Sequence, residues 1–213
     1  MYIPKKYQQG DTHKFKELMI KYPFATLISH HDAGLDADHI PLLLKHVNGK
    51  DVLQGHIAKA NPLWTNVKDD SEVLVVFNGP NCYISPNYYP TKQEHGRVVP
   101  TWNYVVVQVK GIISIIHDDQ WKLKLIENLT NLHEASQPTP WTVTDAPTAY
   151  IDKMLPAIVG LEVDILSITG KWKVSQNQPE INKQGVYTGL SQETESNAHK
   201  IAEWVKEHMD RSE

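Results

Sequence analysis

The sequence predicts a mainly β, α+β protein in which about six antiparallel strands form a closed or partly closed barrel with flanking helices. Three observations favour this class. Strand patterns follow one another closely, and Asn48-Gly49 between two of them is typical of a hairpin turn, because both residues tolerate a positive φ. Few helical patterns lie between strands, which disfavours parallel strands joined by crossover helices. No internal repeat is present, so one unbroken antiparallel barrel is the simplest arrangement.

The strands are predicted from short apolar or alternating stretches that turn residues bound on both sides. Gly79-Pro80 is expected to interrupt the fourth strand, because proline lacks the amide that a sheet ladder needs. Gly111 is expected to mark a break or bulge, and Gly170 a bend. The predicted strands are 25–29, 39–46 after a turn at 32–38, 52–58, 73–77 resuming at 82–85, the pair 98–109 and 111–117, and 159–169.

The helices are predicted from apolar residues at helical spacing. Asp11 or Thr12 caps a first helix that carries Phe15 and Leu18 on one face, and Pro23 ends it. The other predicted helices are a short one opened by Asn61-Pro62, and helices at 121–133, 149–155 and 196–209.

Length and composition indicate one globular protein. The 213 residues are expected to form one domain over residues 1–190, with residues 191–213 as a C-terminal helix packed on it. The first residues lack the apolar run of a secretory signal, and the longest apolar runs, such as 112–116, have the length of a strand. We therefore expect a soluble, cytoplasmic protein without a membrane segment.

Charge and residue types disfavour several other functions. The net charge is −4 and the lysines are spread along the chain, whereas nucleic-acid binding favours a basic face, so no direct nucleic-acid binding is expected. Cys82 is the only cysteine, which excludes an intrachain disulfide. The eleven histidines include no His-Glu-x-x-His pattern, so no metal site is predicted.

Two neighbouring segments carry polar groups suited to an anion. His39 stands in an apolar strand that also holds a proline, which indicates an edge strand or a strand facing a ligand. His56 lies on the next strand, and Lys59 stands at its end, before the helix start at Asn61. A lysine beside helix amides makes an anion site. A solvated lysine and a capping asparagine explain the second segment equally well.

Three further segments mix aromatic and short polar residues. Ser85 in 78–86, and Trp102 with Asn103 in 99–104, suit a flat aromatic ligand held by stacking and a few hydrogen bonds. Rigid loops with core aromatics are the alternative. Residues 170–177, with Lys171, Gln176 and Asn177, suit a phosphate or a second ligand, and a solvated strand end is the alternative.

Taken in order, these segments resemble the PaiB family over roughly residues 1–190. Lys59 stands where arginine is frequent in that family, which keeps the charge. The matching stretches are Met1-Tyr2-Ile3-Pro4, 39–44, 55–62 with Trp64, 79–89, 99–104, Leu129-Thr130 with His133-Glu134, 158–160 and 170–177. The resemblance implies the split-barrel fold of pyridoxamine phosphate oxidases, a homodimer, and FMN in a groove at the subunit interface.

The resemblance also implies roles for individual residues. Lys59 becomes the first candidate for the cation that binds the FMN phosphate, with Lys171 and Lys173 next. Three groups complete the implied cofactor site: His39, His56 and Asn61 as neighbours of the phosphate and ribityl chain, Ser85, Trp102 and Asn103 at the flavin ring, and Lys171, Gln176 and Asn177 as further polar contacts.

The leading functional hypothesis is an FMN-binding protein with flavin-dependent redox activity on an unknown small molecule. No residue is an obvious acid, base or nucleophile, because in an FMN-dependent oxidoreductase the cofactor carries the chemistry. Two alternatives stay open. One is a negative transcriptional regulator that acts through a ligand or protein partner without catalysis, and the other is a haem-binding split barrel.

Overall fold

The structure is a computed structural model, and it describes residues 1–209. The end of the predicted segment 191–213, residues 210–213, lies outside the described residues. The β-strands are β1 (Gln8–Gln9), β2 (Phe24–His31), β3 (Gly34–Pro41), β4 (Leu43–Val47), β5 (Lys50–Ala58), β6 (Glu72–Ile84), β7 (Thr101–Ile116) and β8 (Ile158–Lys173). The α-helices are α1 (Thr12–Lys21), α2 (Leu63–Asn66), α3 (Lys92–His95), α4 (Asp119–Glu134), α5 (Thr148–Met154), α6 (Glu180–Ser191) and α7 (Ser196–Glu207). Short 3-10 helices cover Lys5–Tyr7, Pro86–Tyr88, Val143–Asp145 and Leu155–Ala157.

The predicted α+β class with an antiparallel sheet is confirmed. The strand order is β3-β2-β6-β7-β8-β5-β4, and β1 pairs with β8. The β2–β3, β4–β5 and β5–β8 pairs are antiparallel, and the β4–β5 hairpin turns at Asn48 and Gly49, both with positive φ, as predicted. Residues 1–209 hold eight strands rather than about six, because β1 was not predicted and the strand predicted at 39–46 is divided at Leu42.

The chain divides into two compact units. The first comprises Met1–Phe15, Asn78–Val107 and the described part of Thr169–Glu213, and the second comprises Lys16–Phe77 and Gln108–Ile168. The single domain predicted over residues 1–190 stays a prediction.

The first unit has an aromatic core. Trp172 is buried, stacks on Trp204 at 5.9 Å between ring centroids, and lies 6.1 Å from Phe15. Ile201 and Val205 of α7 are fully buried, which agrees with the apolar face predicted for this helix.

The second unit has an aliphatic core of strand residues with helix α4 packed on it. Leu43 of β4 is buried against Leu125 and Leu129 of α4. Lys122 of the same helix is buried, and its ammonium group donates to Leu155 O at 2.8 Å and pairs with Asp119 at 2.7 Å. Main-chain oxygen and carboxylate partners therefore satisfy a charge that burial would otherwise penalise.

Two predicted interruptions, at Gly79-Pro80 and the break at Gly111, are wrong. Strand β6 continues through Gly79-Pro80, because a proline removes one donor but keeps an extended φ. Strand β7 continues through Gly111, where an added Cβ would lie 2.4 Å from Val163 Cγ1 and 2.5 Å from Asp164 O. Strand β8 continues through Gly170, where a Cβ would lie 2.3 Å from Phe15 Cε1. Both glycines permit close packing, while a bulge at Gly111 and a bend at Gly170 stay predictions.

The predicted turn at 32–38 is also too long, since β3 already begins at Gly34. Helix α6 was not predicted. Its buried face includes Asn182 and Lys183. Because both residue types usually face solvent, the sequence showed no apolar face for this helix. Asn182 is buried because its side chain hydrogen-bonds Thr91.

Candidate functional site

Lys59 lies directly after strand β5 in the second unit. Its amide donates to Ala157 O at 2.8 Å, and its carbonyl accepts from Trp64 Nε1 at 2.8 Å, so the backbone is held at both ends. The side chain is exposed, and within residues 1–209 its ammonium group has no hydrogen bond or ion pair. The backbone of Lys59 is therefore fixed, while its ammonium group is available to bind an anion.

Asn61 connects the Lys59 segment to strand β3. Its Nδ2 donates to Asp38 Oδ1 at 2.5 Å, and its Oδ1 accepts from the Leu63 amide at 2.8 Å. The N-cap of helix α2 is Pro62, so the prediction of Asn61 as the cap and of proline as the first helical residue is wrong by one position; Asn61 instead holds the turn that leads into the helix. Helix α2 has only four residues, and one of its first amides is already satisfied by Asn61, so an anion site there depends on Lys59 rather than on the helix.

The two histidines of this region differ. His39 is exposed, its Nδ1 lies 3.1 Å from Thr26 Oγ1, and its ring stacks on Phe24 at 6.2 Å. His56 is half-buried, and its Nδ1 is buried without a hydrogen-bond partner in the described part of the chain. Burial lowers the pKa of His56, which favours a neutral imidazole.

His56 lies on the wall of a cavity of about 320 Å³ in the second unit. The other residues of this cavity have no role predicted from their sequence pattern, although Leu129-Thr130 and His133-Glu134 belong to the stretches shared with PaiB. Glu134 accepts a hydrogen bond from the Trp141 amide at 3.0 Å. The other lining residues are Pro41, Leu129, Thr130, His133, Glu134 and Trp141.

The residues predicted for a flavin ring lie in the first unit. Trp102 is 55% exposed and makes an edge contact with Tyr83, with ring centroids 6.2 Å apart. Trp102 also lines a cavity of about 300 Å³ together with Asn81, Tyr104 and other residues of β6 and β7. Ser85 accepts from the Asn87 amide at 3.1 Å and so caps a 3-10 helix.

A second cavity of the first unit, of about 210 Å³, brings several predicted residues together. Asn103 is buried and donates to Ser175 Oγ at 2.8 Å, while Asn177 Oδ1 accepts from the Tyr7 hydroxyl at 2.9 Å. We call this the cationic cavity, because Arg97 and Lys173 also line it. Its lining residues are Tyr7, Tyr89, Arg97, Val98, Val99, Thr101, Asn103, Lys173, Ser175, Asn177 and Gln178.

The other two predicted residues of segment 170–177 are engaged by the protein itself. Lys171 is buried, donates to Tyr2 O at 3.2 Å, and lies 5.2 Å above the Tyr104 ring. The Gln176 side chain donates to Trp172 O at 2.5 Å and accepts from the Val174 amide at 2.8 Å. Gln176 therefore stabilises its own turn.

The ten predicted site residues thus divide between the units. His39, His56, Lys59 and Asn61 belong to the second unit, and the structure links the Asn61 segment to the strand of His39. Ser85, Trp102, Asn103, Lys171, Gln176 and Asn177 belong to the first unit, where Asn103 and Asn177 share the cationic cavity. Among residues 1–209, no cluster of metal-ligating side chains is present.

Solved structures define the class of fold. The chain is similar to the FAD and heme binding protein from Mycobacterium smegmatis, with a TM-score of 0.55 and 16% identity over 78% of this chain and 73% of that one. It is also similar to the flavocytochrome Anf3 from Azotobacter vinelandii, with a TM-score of 0.57 and 11% identity over 80% and 72% of the two chains. The fold is a split β-barrel, as the PaiB resemblance implied.

The sequence comparisons then define the family. The chain belongs to the family described as "Putative FMN-binding domain", whose model matches residues 1–167. A protein of Bacillus subtilis named "Protease synthase and sporulation protein PAI 2" is 28% identical over 212 residues, which cover 98% of each chain, so the PaiB resemblance is confirmed. An uncharacterized protein of Emericella nidulans is 35% identical over 188 residues, covering 73% of this chain and 75% of its own. FMN is the cofactor of this family.

None of the helices within residues 1–209 combines the length and the apolar character that crossing a bilayer requires.

Proposed function

We propose that this protein binds FMN with Lys59 at the flavin phosphate, and that it works as a cytoplasmic homodimer. The observation that carries this proposal is that the Lys59 ammonium group is exposed and has no partner within residues 1–209. Lys59 lies on a backbone held by Ala157 and Trp64, inside the part of the chain that matches the FMN-binding family.

The other candidate cations, Lys171 and Lys173, are less suited to the FMN phosphate than Lys59. Lys171 and Lys173 lie beyond residue 167, where the family match ends, and both ammonium groups already donate to oxygens of the first unit. A phosphate gains most from a cation that loses no internal hydrogen bond on binding. His39, His56 and Asn61 are the polar neighbours assigned to the phosphate and ribityl chain.

The residues that the PaiB resemblance assigns to the flavin ring lie in the first unit. Trp102 offers an exposed aromatic face beside a cavity of about 300 Å³, and flat heteroaromatic rings bind by stacking on such faces. Asn103 and Ser85 are the hydrogen-bonding residues assigned to the ring. FMN supplies electron or hydride transfer when it is bound, and the protein residues bind and orient it.

Exposed aromatic residues support the proposed homodimer. Tyr83 and Trp102 are about half exposed and contact each other, and tyrosine and tryptophan are enriched at protein interfaces. Light scattering at micromolar concentration is expected to give about twice the chain mass of 24.2 kDa. A monomer at that concentration would exclude a groove shared by two copies.

The associated activity is flavin-dependent redox chemistry on a small molecule. A second candidate function is negative transcriptional regulation through a ligand or protein partner, which the whole-chain similarity to the protease synthase and sporulation protein of Bacillus subtilis favours. The absorption spectrum of freshly purified protein separates these functions. Flavin bands support the first, absence of bound flavin favours the second, and a Soret band would indicate haem.

Substitution of Lys59 tests the assignment of the phosphate. Charge-assisted hydrogen bonds contribute roughly 1.5–3 kcal/mol, so Lys59→Ala is expected to weaken FMN binding about tenfold to a hundredfold. Riboflavin, which lacks the phosphate, should lose much less affinity. Both ligands are titrated by flavin fluorescence, with Lys68→Ala, another exposed lysine of the second unit, as the control. Equal loss for FMN and riboflavin would make Lys59 structural.

A further inference from the structure

The first unit gathers positive charges around the cationic cavity. Arg97 and Lys173 line it, and the charges of Lys171 and Lys6 act on Lys173. Within residues 1–209, none of these four groups forms an ion pair with a carboxylate. The protein thus concentrates cations here without supplying the counter-charge.

Neutral oxygens accept the hydrogen bonds of the two lysines of strand β8, and Lys171 also lies over the rings of Tyr2 and Tyr104. Lys171, which is 9% exposed, donates to Tyr2 O, and Lys173 donates to Trp102 O at 2.7 Å and to Thr101 Oγ1. Burial, followed by the charges of Lys171 and Lys6, lowers the pKa of Lys173. Neutral acceptors do not cancel charge, so an anion placed in the cavity would stabilise the ammonium form.

Uncharged donors complete the wall of the cavity. The Tyr7 hydroxyl donates to Asn177 Oδ1, which leaves the Asn177 NH₂ group available as a donor. Ser175 Oγ accepts from Asn103 and keeps its own proton. With the guanidinium of Arg97, these groups offer donors and no carboxylate, which suits a multiply charged oxyanion.

We propose that the cationic cavity binds the phosphate group of a small molecule other than FMN. Its volume of about 210 Å³ is below the ~300–1,000 Å³ typical of drug-sized ligands, so it accommodates a phosphate group and a small part of the molecule that carries it. The site is separate from the proposed position of the FMN phosphate, because that phosphate is assigned to Lys59, which does not line the cavity, and segment 170–177 follows the region that matches the FMN-binding family.

The test titrates inorganic phosphate into the FMN-saturated protein at constant ionic strength, with binding followed by ³¹P line broadening. Arg97→Gln is the main variant, because Arg97 is exposed and its loss leaves the folded core intact. We expect it to weaken phosphate binding about tenfold, as removal of one charge-assisted contact does. Lys173→Gln should weaken it by at least as much, and the control Lys68→Gln should leave it unchanged.

Two results would overturn the proposal. One is an equal phosphate affinity in Arg97→Gln, Lys173→Gln and the control. The other is failure of inorganic phosphate to bind the FMN-saturated protein when it does bind the flavin-free protein, which would assign the cavity to the flavin phosphate. The Lys59→Ala titration with FMN and riboflavin is a separate measurement, so failure of the flavin assignment is distinguished from failure of this one.

Discussion

Two candidate site residues, Asn103 of the first unit and Lys59 of the second, lie in opposite situations. Asn103 is 1% exposed and donates to Ser175. In the second unit, Lys59 is exposed without a partner, and His56 keeps a buried ring nitrogen unpaired within the described residues. Buried polar groups that pair with one another belong to the fold, whereas unpaired groups are free to bind a ligand. We therefore expect substitutions in the first set to lower stability and those in the second to lower affinity.

The largest expected effect on stability is that of Asn103→Ala. It removes a buried hydrogen bond, leaves Ser175 without its donor, and opens a small cavity, so the free energy of unfolding should fall by about 2–3 kcal/mol. Urea unfolding measures this change. Lys59→Ala should change the same quantity by less than about 0.5 kcal/mol, as is usual for an exposed side chain. Similar losses for both variants would remove the distinction between the two sets.

A smaller effect is expected for Asn61, which combines both situations. Asn61→Ala removes the bond from the Leu63 amide and the bond to Asp38, and loss of one such hydrogen bond costs about 1 kcal/mol. Asp38→Ala removes only the second bond and separates the two contributions. If the two variants unfold at the same urea concentration, the bond from the Leu63 amide contributes nothing measurable and Asn61 serves only to link the segments.

The smallest expected effect is the pH dependence due to His56. Burial lowers its pKa below the usual 6.5, so the folded protein keeps a neutral ring where the unfolded chain binds a proton. The contribution of this group to stability is therefore complete above pH 6.5 and decreases as the pH falls below it. Between pH 7.5 and 5.5, urea unfolding should show a larger loss for the wild type than for His56→Gln. The exposed His13→Gln should behave as the wild type does.

The sequence predicted the fold class because hairpin turns and alternating strands are local signals. Prediction from the sequence failed where the environment of a residue is set by a neighbour that is distant along the chain. Gly111 suggested a break, but strand β7 continues through it, and this glycine and Gly170 permit close packing against Val163 and Phe15. Helix α6 was missed because the burial of Asn182 depends on Thr91, which lies 91 positions earlier.

For the candidate site, the sequence indicated which segments to consider but not how their side chains are arranged. Residue types and order identified the segments that contain Lys59, Trp102 and Lys171, and the FMN family is confirmed. The sequence could not show that the Gln176 side chain is occupied by its own backbone, or that Arg97 and Tyr7 line the same cavity as Asn177. Such convergence depends on tertiary structure, which periodicity does not encode.

Because Lys122 is buried, its reactivity toward amine labels reports whether helix α4 is packed against the rest of its unit. The side chain of Lys122 is 4% exposed, whereas that of Lys124, two residues along helix α4, is 72% exposed. An amine-reactive label should therefore modify Lys124 rapidly and spare Lys122 as long as the helix stays against the Leu155 carbonyl. The ratio of the two labelled peptides in a mass spectrum follows local opening of this helix in any sample, including crude lysate, without an assay of function.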